Sequence, residues 1–432
     1  MDNLETGMLL CSFLSGREIP NSSMDKLTSD DGESLADCAL RLNVGGLLYR
    51  EIKTRNISTE IVTVNVRNKL RQSYRDTATF NTTLFFDVSK YIKILSDNLL
   101  PVIALKGFSL AKNIYGDIAL RPMCDVDLLV KKENLVSAGR ILLGLGYEPY
   151  YAAWEKKLET HHHLPPFTNA RGTTIELHWD IVTPDSTIKV NTEGLWERAC
   201  LVNICDVEVG VLSPEDLFLH LCTHACSHIK SGFPLISLCD ISGLIKRSGG
   251  KFDWQLAIDK SYQWGANRCV YLMLLLAQEM LGITPPNNVM ANLKPNDFQR
   301  YFANEIKEHI FNISPLDPLL GLANDQFAKI KRIKGVKGKA KAVLKRAFPP
   351  REDIARTYAV AISSPRLYLY YLLRIWHIIA YYTVVQIGLI RRDQSLKQSV
   401  NHAHRVNAVF NWIFSSPLAS VGRSSDILIP DD

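Results

Sequence analysis

The seven residues "CDVDLLV", Cys124 to Val130, constrain this chain more than any other stretch, because an apolar strand carries two acids one residue apart. Side chains alternate across a β-strand, so Asp125 and Asp127 leave one face while Val126 and Leu128 leave the other. Two ionised carboxylates roughly 7 Å apart on one face repel and call for a counter-charge. A divalent cation supplies it: hard Mg²⁺ takes carboxylate oxygens at about 2.1 Å and keeps positions open for phosphate. Taken alone, the triplet is also explained by an exposed acidic strand face.

Its neighbours favour the metal. Some twenty residues earlier, "PVIAL" reads as a short strand followed by Lys106-Gly107 and a helix-like "FSLAKNIYG". Glycine lets a backbone approach a phosphate, and the next helix N-terminus offers unpaired N–H groups. Lys106 adds a mobile cation and Ser109 a hydroxyl. After the aspartate strand, "ENLVSAGRILLGLG" reads as a helix ending at Gly146, and "YEPYYA" as a further strand. "HLPPFTN" and "TTIELHWDIV" flank "ARG", which suits a hairpin. The second of these strands carries Glu176 between Ile175 and Leu177, with Thr174 and His178 on the same face. A third acid on an adjacent strand completes a site for two metal ions about 4 Å apart. Asp180 continues that face, but the tighter apolar flanks favour Glu176. His178 is placed to hydrogen-bond a ligating acid.

At 432 residues the chain exceeds one ordinary core. Residues 1–98 read as an N-terminal helical region, with Gly45 and Gly46 breaking the pattern, and residues 99–205 as the strand-bearing domain. Residues 206–432 read as a C-terminal helical domain with a basic linker near 329–346. "SPEDLFLHLCTHACSHI" starts with Ser213 as N-cap and Pro214 in the first turn. It sets His220, His224 and His228 on one face and Cys222 and Cys226 on another, a spacing zinc proteins use, though no HExxH-type partner is present. Contact of His224 or His228 with a nucleotide or acceptor is the favoured functional role. The histidines at 161–163 line the same cleft or are simply solvated, and Asp240 is an interface acid or a cap.

A net charge of +6 argues only weakly for anionic partners. Nine cysteines without paired spacing suit reduced thiols in the cytoplasm, and no basic flank precedes the first apolar run to make a signal peptide. The stretch 365–390 is about as long as a membrane span, but Arg366, Arg374 and His377 interrupt it. A buried helix is the expectation; contact with the inner-membrane surface is the alternative, supported by the basic run. No Walker motif, nucleophile elbow or dinucleotide fingerprint is present, and no aromatic-plus-basic strand signals nucleic acid.

The order strand-Gly-helix, Asp-x-Asp and apolar-flanked acid resembles the superfamily of polymerase beta and the aminoglycoside nucleotidyltransferases. More narrowly, "LKG", "YGDIALRPMCDVDLLV", "GY" and "IELHW", with the later "HLCTHACSH" and "LCDISGLI", are similar to a bacterial family of uncharacterised nucleotidyltransferases. The likeness covers residues 35–290 and more loosely the remainder. It implies an α+β fold, a small mixed β-sheet core between N-terminal and C-terminal helical regions. It implies transfer of a nucleoside monophosphate from a triphosphate such as ATP to a hydroxyl or phosphate, releasing pyrophosphate. Asp125, Asp127 and Glu176 would then hold two Mg²⁺ ions (or Mn²⁺), Glu176 serving as ligand or base. Lys106, Gly107, Ser109 and Arg121 would hold the nucleotide, Arg121 either clamping a phosphate or forming a loop salt bridge. The resemblance implies a small-molecule, glycan or peptide acceptor. Members of the superfamily usually have Gly-Gly or Gly-Ser where Phe108 follows Gly107 here. A non-catalytic nucleotide-binding or assembly protein of a polysaccharide or peptide-modification pathway is the rival reading.

Overall fold

The computed structural model describes residues 1–17, 24, 26–55, 57–58, 60–150, 154–157, 161–232, 235–312, 347–351, 363–376 and 394–415, with scattered residues elsewhere between 335 and 360. They form two compact units, the larger comprising 1–229, 233–312 and 410–432 and the smaller 230–232 and 313–409.

Four helices open the larger unit: α1 (Asn3–Leu14), α2 (Ser29–Arg41), α3 (Gly45–Arg55) and α4 (Val64–Asp97). Two of them start on capping boxes, Asp2 with Glu5 and Thr28 with Asp31, which satisfy N–H groups a helix start leaves open. The break between α2 and α3 falls at Asn43, whose φ of 59° is left-handed, and not at the glycines. Gly45 and Gly46 begin α3 instead. A side chain at Gly46 would meet the carbonyl oxygen of Ala119, so glycine there permits close packing.

The next stretch interleaves strands and helices: β1 (Val102–Ala104), α5 (Lys106–Asn113), β2 (Val126–Val130), α6 (Leu135–Gly144), β3 (Glu148–Pro149), β4 (Phe167–Thr168), β5 (Thr174–His178), α7 (Thr192–Glu197), β6 (Cys200–Ile204) and β7 (Val207–Val211). One seven-stranded mixed sheet results, in the order β3-β4-β5-β2-β1-β7-β6. β2 runs parallel to β5 and antiparallel to β1, and the expected hairpin is the pair β4–β5. The fold is α+β, a small mixed sheet flanked by helices.

Alternation decides what each face of the sheet does. Val126, Leu128, Val130, Ile175 and Leu177 all enter one buried cluster with Leu84, Val88 and Tyr91 of α4 and with Leu135 and Ala138 of α6. The Tyr91 hydroxyl donates to the carbonyl of Ala138 at 3.0 Å, tying the two helices together over the sheet. A second buried polar knot fixes the β4–β5 turn: Asp87 of α4 accepts from Asn169, Thr173 and Arg171.

The hairpin β6–β7 has no counterpart in the sequence reading. Its two-residue turn is Cys205-Asp206, both with positive φ (51° and 60°), where Asn-Gly or Asp-Gly would ordinarily mark such a turn. β7 then pairs in parallel with β1 and closes that side of the sheet.

Helices α8 (Pro214–Ser227), α9 (Leu235–Ser248), α10 (Trp254–Trp264), α11 (Asn267–Leu281), α12 (Asn287–Leu293) and α13 (Arg300–Phe311) follow, and α14 (Gln394–Phe414) comes last. Ser213 caps α8 through the Asp216 N–H, with Pro214 in the first turn. In the smaller unit Ile354, Ala355 and Leu367 are buried together. Among the described residues no helix is long and apolar enough to cross a membrane. Of the segment 365–390, residues 377–390 lie outside the described residues, as do most of the basic run 329–346 and the tail beyond 415.

Leu128 is fully buried at the centre of the sheet, whereas Leu201 on the edge strand is 69% exposed. Leu128→Ala is therefore expected to lower unfolding free energy by about 2–5 kcal/mol in denaturant titration. Leu201→Ala should stay within about 0.5 kcal/mol of the parent.

Candidate active site

The parallel register of β2 and β5 sets Asp127 directly beside Glu176 and Val126 beside Ile175. With the apolar partners turned into the core, the two acids share the opposite face. Asp125 precedes β2 by one residue and meets the same cavity, which has a volume of about 590 Å³. Its carboxyl group is pushed up to about 6, chiefly by burial and then by the charges of Asp127 and Glu176. Three acids converge closely enough to feel one another.

Cations answer part of that charge. Lys106, the first residue of α5, puts Nζ 2.7 Å from Asp127 Oδ2 and 2.9 Å from His224 Nε2. His178, two residues beyond Glu176 on β5, sets Nε2 3.0 Å from Asp127 Oδ1 and 3.4 Å from Glu176 Oε2. Burial by itself would raise Asp127, but Lys106 and His178 hold it well below the usual carboxylate range. Burial would likewise favour neutral His178, yet its bonds to Asp127 and Glu176 keep it above its ordinary value. Lys106 has a φ of 39°, in the left-handed region, and α5 lacks a side-chain cap at Leu105. Its first N–H groups thus have no side-chain acceptor.

The other wall of the cavity belongs to α8. His220, Thr223, His224 and Ser227 recur at helical spacing and face the acids, followed by His228 at the helix end. His162 and His163 come from the loop before β4, so six of the chain's eleven histidines line this one space. His162 and His220 are both pushed down to about 3, first by burial and then by Lys106, His178 and neighbouring imidazoles. Burial and Lys106 depress His224 and His228 in the same way. Neither ring nitrogen of His220 has a hydrogen-bond partner. His163, Glu176 and His178 bring one ligand atom each within 4.8 Å of the others. Cys222 and Cys226 are buried elsewhere, and burial pushes both thiols up, away from the metal-binding thiolate.

Of the residues singled out in the sequence, Asp125, Asp127, Glu176 and Lys106 come together around the cavity, while Gly107, Ser109 and Arg121 do not line it. Ser109 is buried and accepts from Asn113. Arg121 lies beneath α5, so that a side chain at Gly107 would strike its guanidinium and Met123. That guanidinium forks onto Asp240 of α9 at 2.9–3.2 Å, and Tyr115 donates to the same carboxylate at 2.7 Å. Phe108, the residue that departs from the superfamily pattern, stacks on Phe85 in the core. Asp180 lies past the strand end and accepts from the N–H groups of Ile181 and Val182.

The model of the uncharacterised nucleotidyltransferase family matches residues 28–282, more than half the chain. The chain belongs to that family. The match spans the sheet, Lys106, all three acids and the α8 wall, and it assigns this nucleotidyltransferase an enzymatic role in nucleotidyl transfer. Comparison with curated proteins gave no match.

Asp240 is 1% exposed; it holds the Arg121 guanidinium and also accepts from the Tyr115 hydroxyl. Asp240→Leu leaves a buried cation unpaired and should cost about 3–5 kcal/mol in denaturant titration. Arg121→Met combined with Asp240→Leu should recover much of that loss. Strictly additive single and double variants would show that the pair does not act as one unit.

Proposed function

We propose that this nucleotidyltransferase moves a nucleoside monophosphate from a nucleoside triphosphate to a hydroxyl or phosphate of an acceptor and releases pyrophosphate, with Asp125, Asp127 and Glu176 holding Mg²⁺. The observation that carries this reading is the convergence of three carboxylates from adjoining strands on one cavity, two of them neighbours in register. Three carboxylates on one cavity suit a hard divalent ion, with His163 and His178 standing beside Glu176, and Asp125 is raised by burial and then by the charges of Asp127 and Glu176. When bound, such ions would neutralise charge on the attacking and departing oxygens.

The protein's own groups do the remainder. Lys106 Nζ, already within the acid cluster, turns to a phosphate oxygen as the triphosphate arrives. The uncapped N-terminus of α5 presents backbone N–H groups to the same phosphates. His178 holds Asp127 through Nε2 and so fixes the direction in which its other oxygen points. Glu176 completes the acid set and is the base within reach of an acceptor hydroxyl. The neutral imidazoles of His220, His224 and His228 offer hydrogen bonds to the acceptor without adding charge. Arg121, bound to Asp240, serves from below by supporting the α5 turn that carries Lys106.

The test is pyrophosphate release from each nucleoside triphosphate with Mg²⁺ across a panel of sugar, phosphosugar and peptide acceptors. Asp127→Asn is expected to lower turnover at least about a hundredfold. Full activity in that variant would refute the assignment of the acids. Triphosphate binding with no pyrophosphate from any acceptor would favour the non-catalytic reading.

A further inference from the structure

Helix α9 lines a second cavity, of about 330 Å³, with one continuous face: Cys239, Ser242, Gly243, Lys246 and Arg247 follow the three- and four-residue spacing of a helix. Leu14, Leu47, Ile114 and Leu281 supply apolar walls, and Arg50 of α3 adds a third cation. Among the described residues no acid lines the space. The nearest carboxylate on α3, Glu51, is shared between Arg50 (3.3 Å) and Arg55 (3.5 Å), and Arg55 stands outside the cavity. Burial lowers the Lys246 ammonium and Arg17 adds to that, while Cys239 and Glu51 act in the opposite sense. Lys246 Nζ donates only to the backbone carbonyl of Ser15, at 2.8 Å.

A separate observation concerns Ser242. Its side chain is 4% exposed and its Oγ has no hydrogen-bond partner, although it faces this cavity. A serine within a helix ordinarily returns its hydroxyl to a carbonyl one turn back, and a buried hydroxyl left unpaired is costly. Lys246 and Arg247, Arg50 with its ion pair to Glu51, and one orphaned hydroxyl line one space and together suit an anion with several acceptor oxygens. A phosphate group offers three such oxygens, where a carboxylate offers two, and the guanidinium fork suits it. The leucine and isoleucine walls then suit a compact apolar body attached to it. The volume lies at the lower end of small-ligand sites.

We infer that this α9 cavity is a second binding site, separate from the acid-lined one, for a small organic phosphate with an apolar or ring body. The phosphate contacts Arg50, Lys246, Arg247 and Ser242, and the body lies against Leu47, Ile114 and Leu281.

The test is calorimetric titration of the full chain with phenyl phosphate, inorganic phosphate and benzoate, without divalent metal. Phenyl phosphate should bind one saturable site, at least about tenfold more tightly than benzoate or inorganic phosphate. Lys246→Met with Arg247→Gln, both exposed positions whose change leaves the core intact, should weaken that binding by at least about tenfold. Ser242→Ala should weaken it severalfold, and Lys106→Met, at the other cavity, should leave it unchanged. Equal binding by the parent and the double variant would overturn the inference. Loss of binding in Lys106→Met, or benzoate bound as tightly as phenyl phosphate, would do the same.

Discussion

The alignment of two parallel strands underlies everything else in this molecule. Asp127 lies beside Glu176 because Val126 lies beside Ile175 and Leu128 beside Leu177. The apolar members of those pairs are buried against α4 and α6. A slip of one residue would turn the acids into the core and the leucines into the cavity, and hydrophobic burial forbids that. The force that makes the core is therefore the force that crowds the acids. Their mutual repulsion is a cost of the arrangement; Lys106 and His178 offset it fully at Asp127 but only in part at Asp125, where burial and the neighbouring acids still raise the proton affinity.

Lys106 couples that crowding to the helices. It stands where β1 gives way to α5, in a left-handed conformation a lysine rarely adopts, and it reaches both a strand acid and His224 of α8. Strain of this kind persists only when surrounding contacts over-determine it. Here Gly107 admits the Arg121 guanidinium beneath the turn, and Asp240 of α9 holds that guanidinium and also accepts from Tyr115. A hydrogen bond between Lys106 and His224 thus ties the acid cluster to α8, and a buried charge pair, Arg121 with Asp240, ties the loop before β2 to α9.

What the sequence made legible is what strand alternation and short-range spacing encode. Asp125 with Asp127, Glu176 with His178, the β4–β5 hairpin and the Ser213 cap are all readable within ten residues. The partners of Lys106 and Arg121 are not, because His224 and Asp240 stand more than a hundred positions away, and chain separation carries no spacing rule. Arg121 shows the limit well. A loop arginine beside a metal-type motif suits a phosphate clamp as well as a salt bridge, and only the fold brings Asp240 to it. The β6–β7 hairpin was hidden for a local reason: Cys-Asp can adopt its turn but does not advertise it. Gly45 and Gly46 misled in the opposite direction, since glycine serves there for close packing and not for a break.

The cavity is electrically divided, and the division bears on how it would be used. At one end Asp125, Asp127, Glu176, Lys106 and His178 form a dense ionic cluster. On the wall directly beside it, His162, His220, His224 and His228 are held toward the neutral form by burial and by the charge of Lys106 itself. Protonated imidazoles there would compete with a divalent ion for the acids and would repel it. Neutral ones keep their hydrogen-bonding capacity, and His220 retains two unpartnered nitrogens with which to use it. On the proposed reading the triphosphate belongs to the ionic end and the acceptor to the imidazole wall. The single ammonium of Lys106 then has two effects before the nucleotide comes: it steadies Asp127, and it adds to the burial that keeps the histidine wall uncharged.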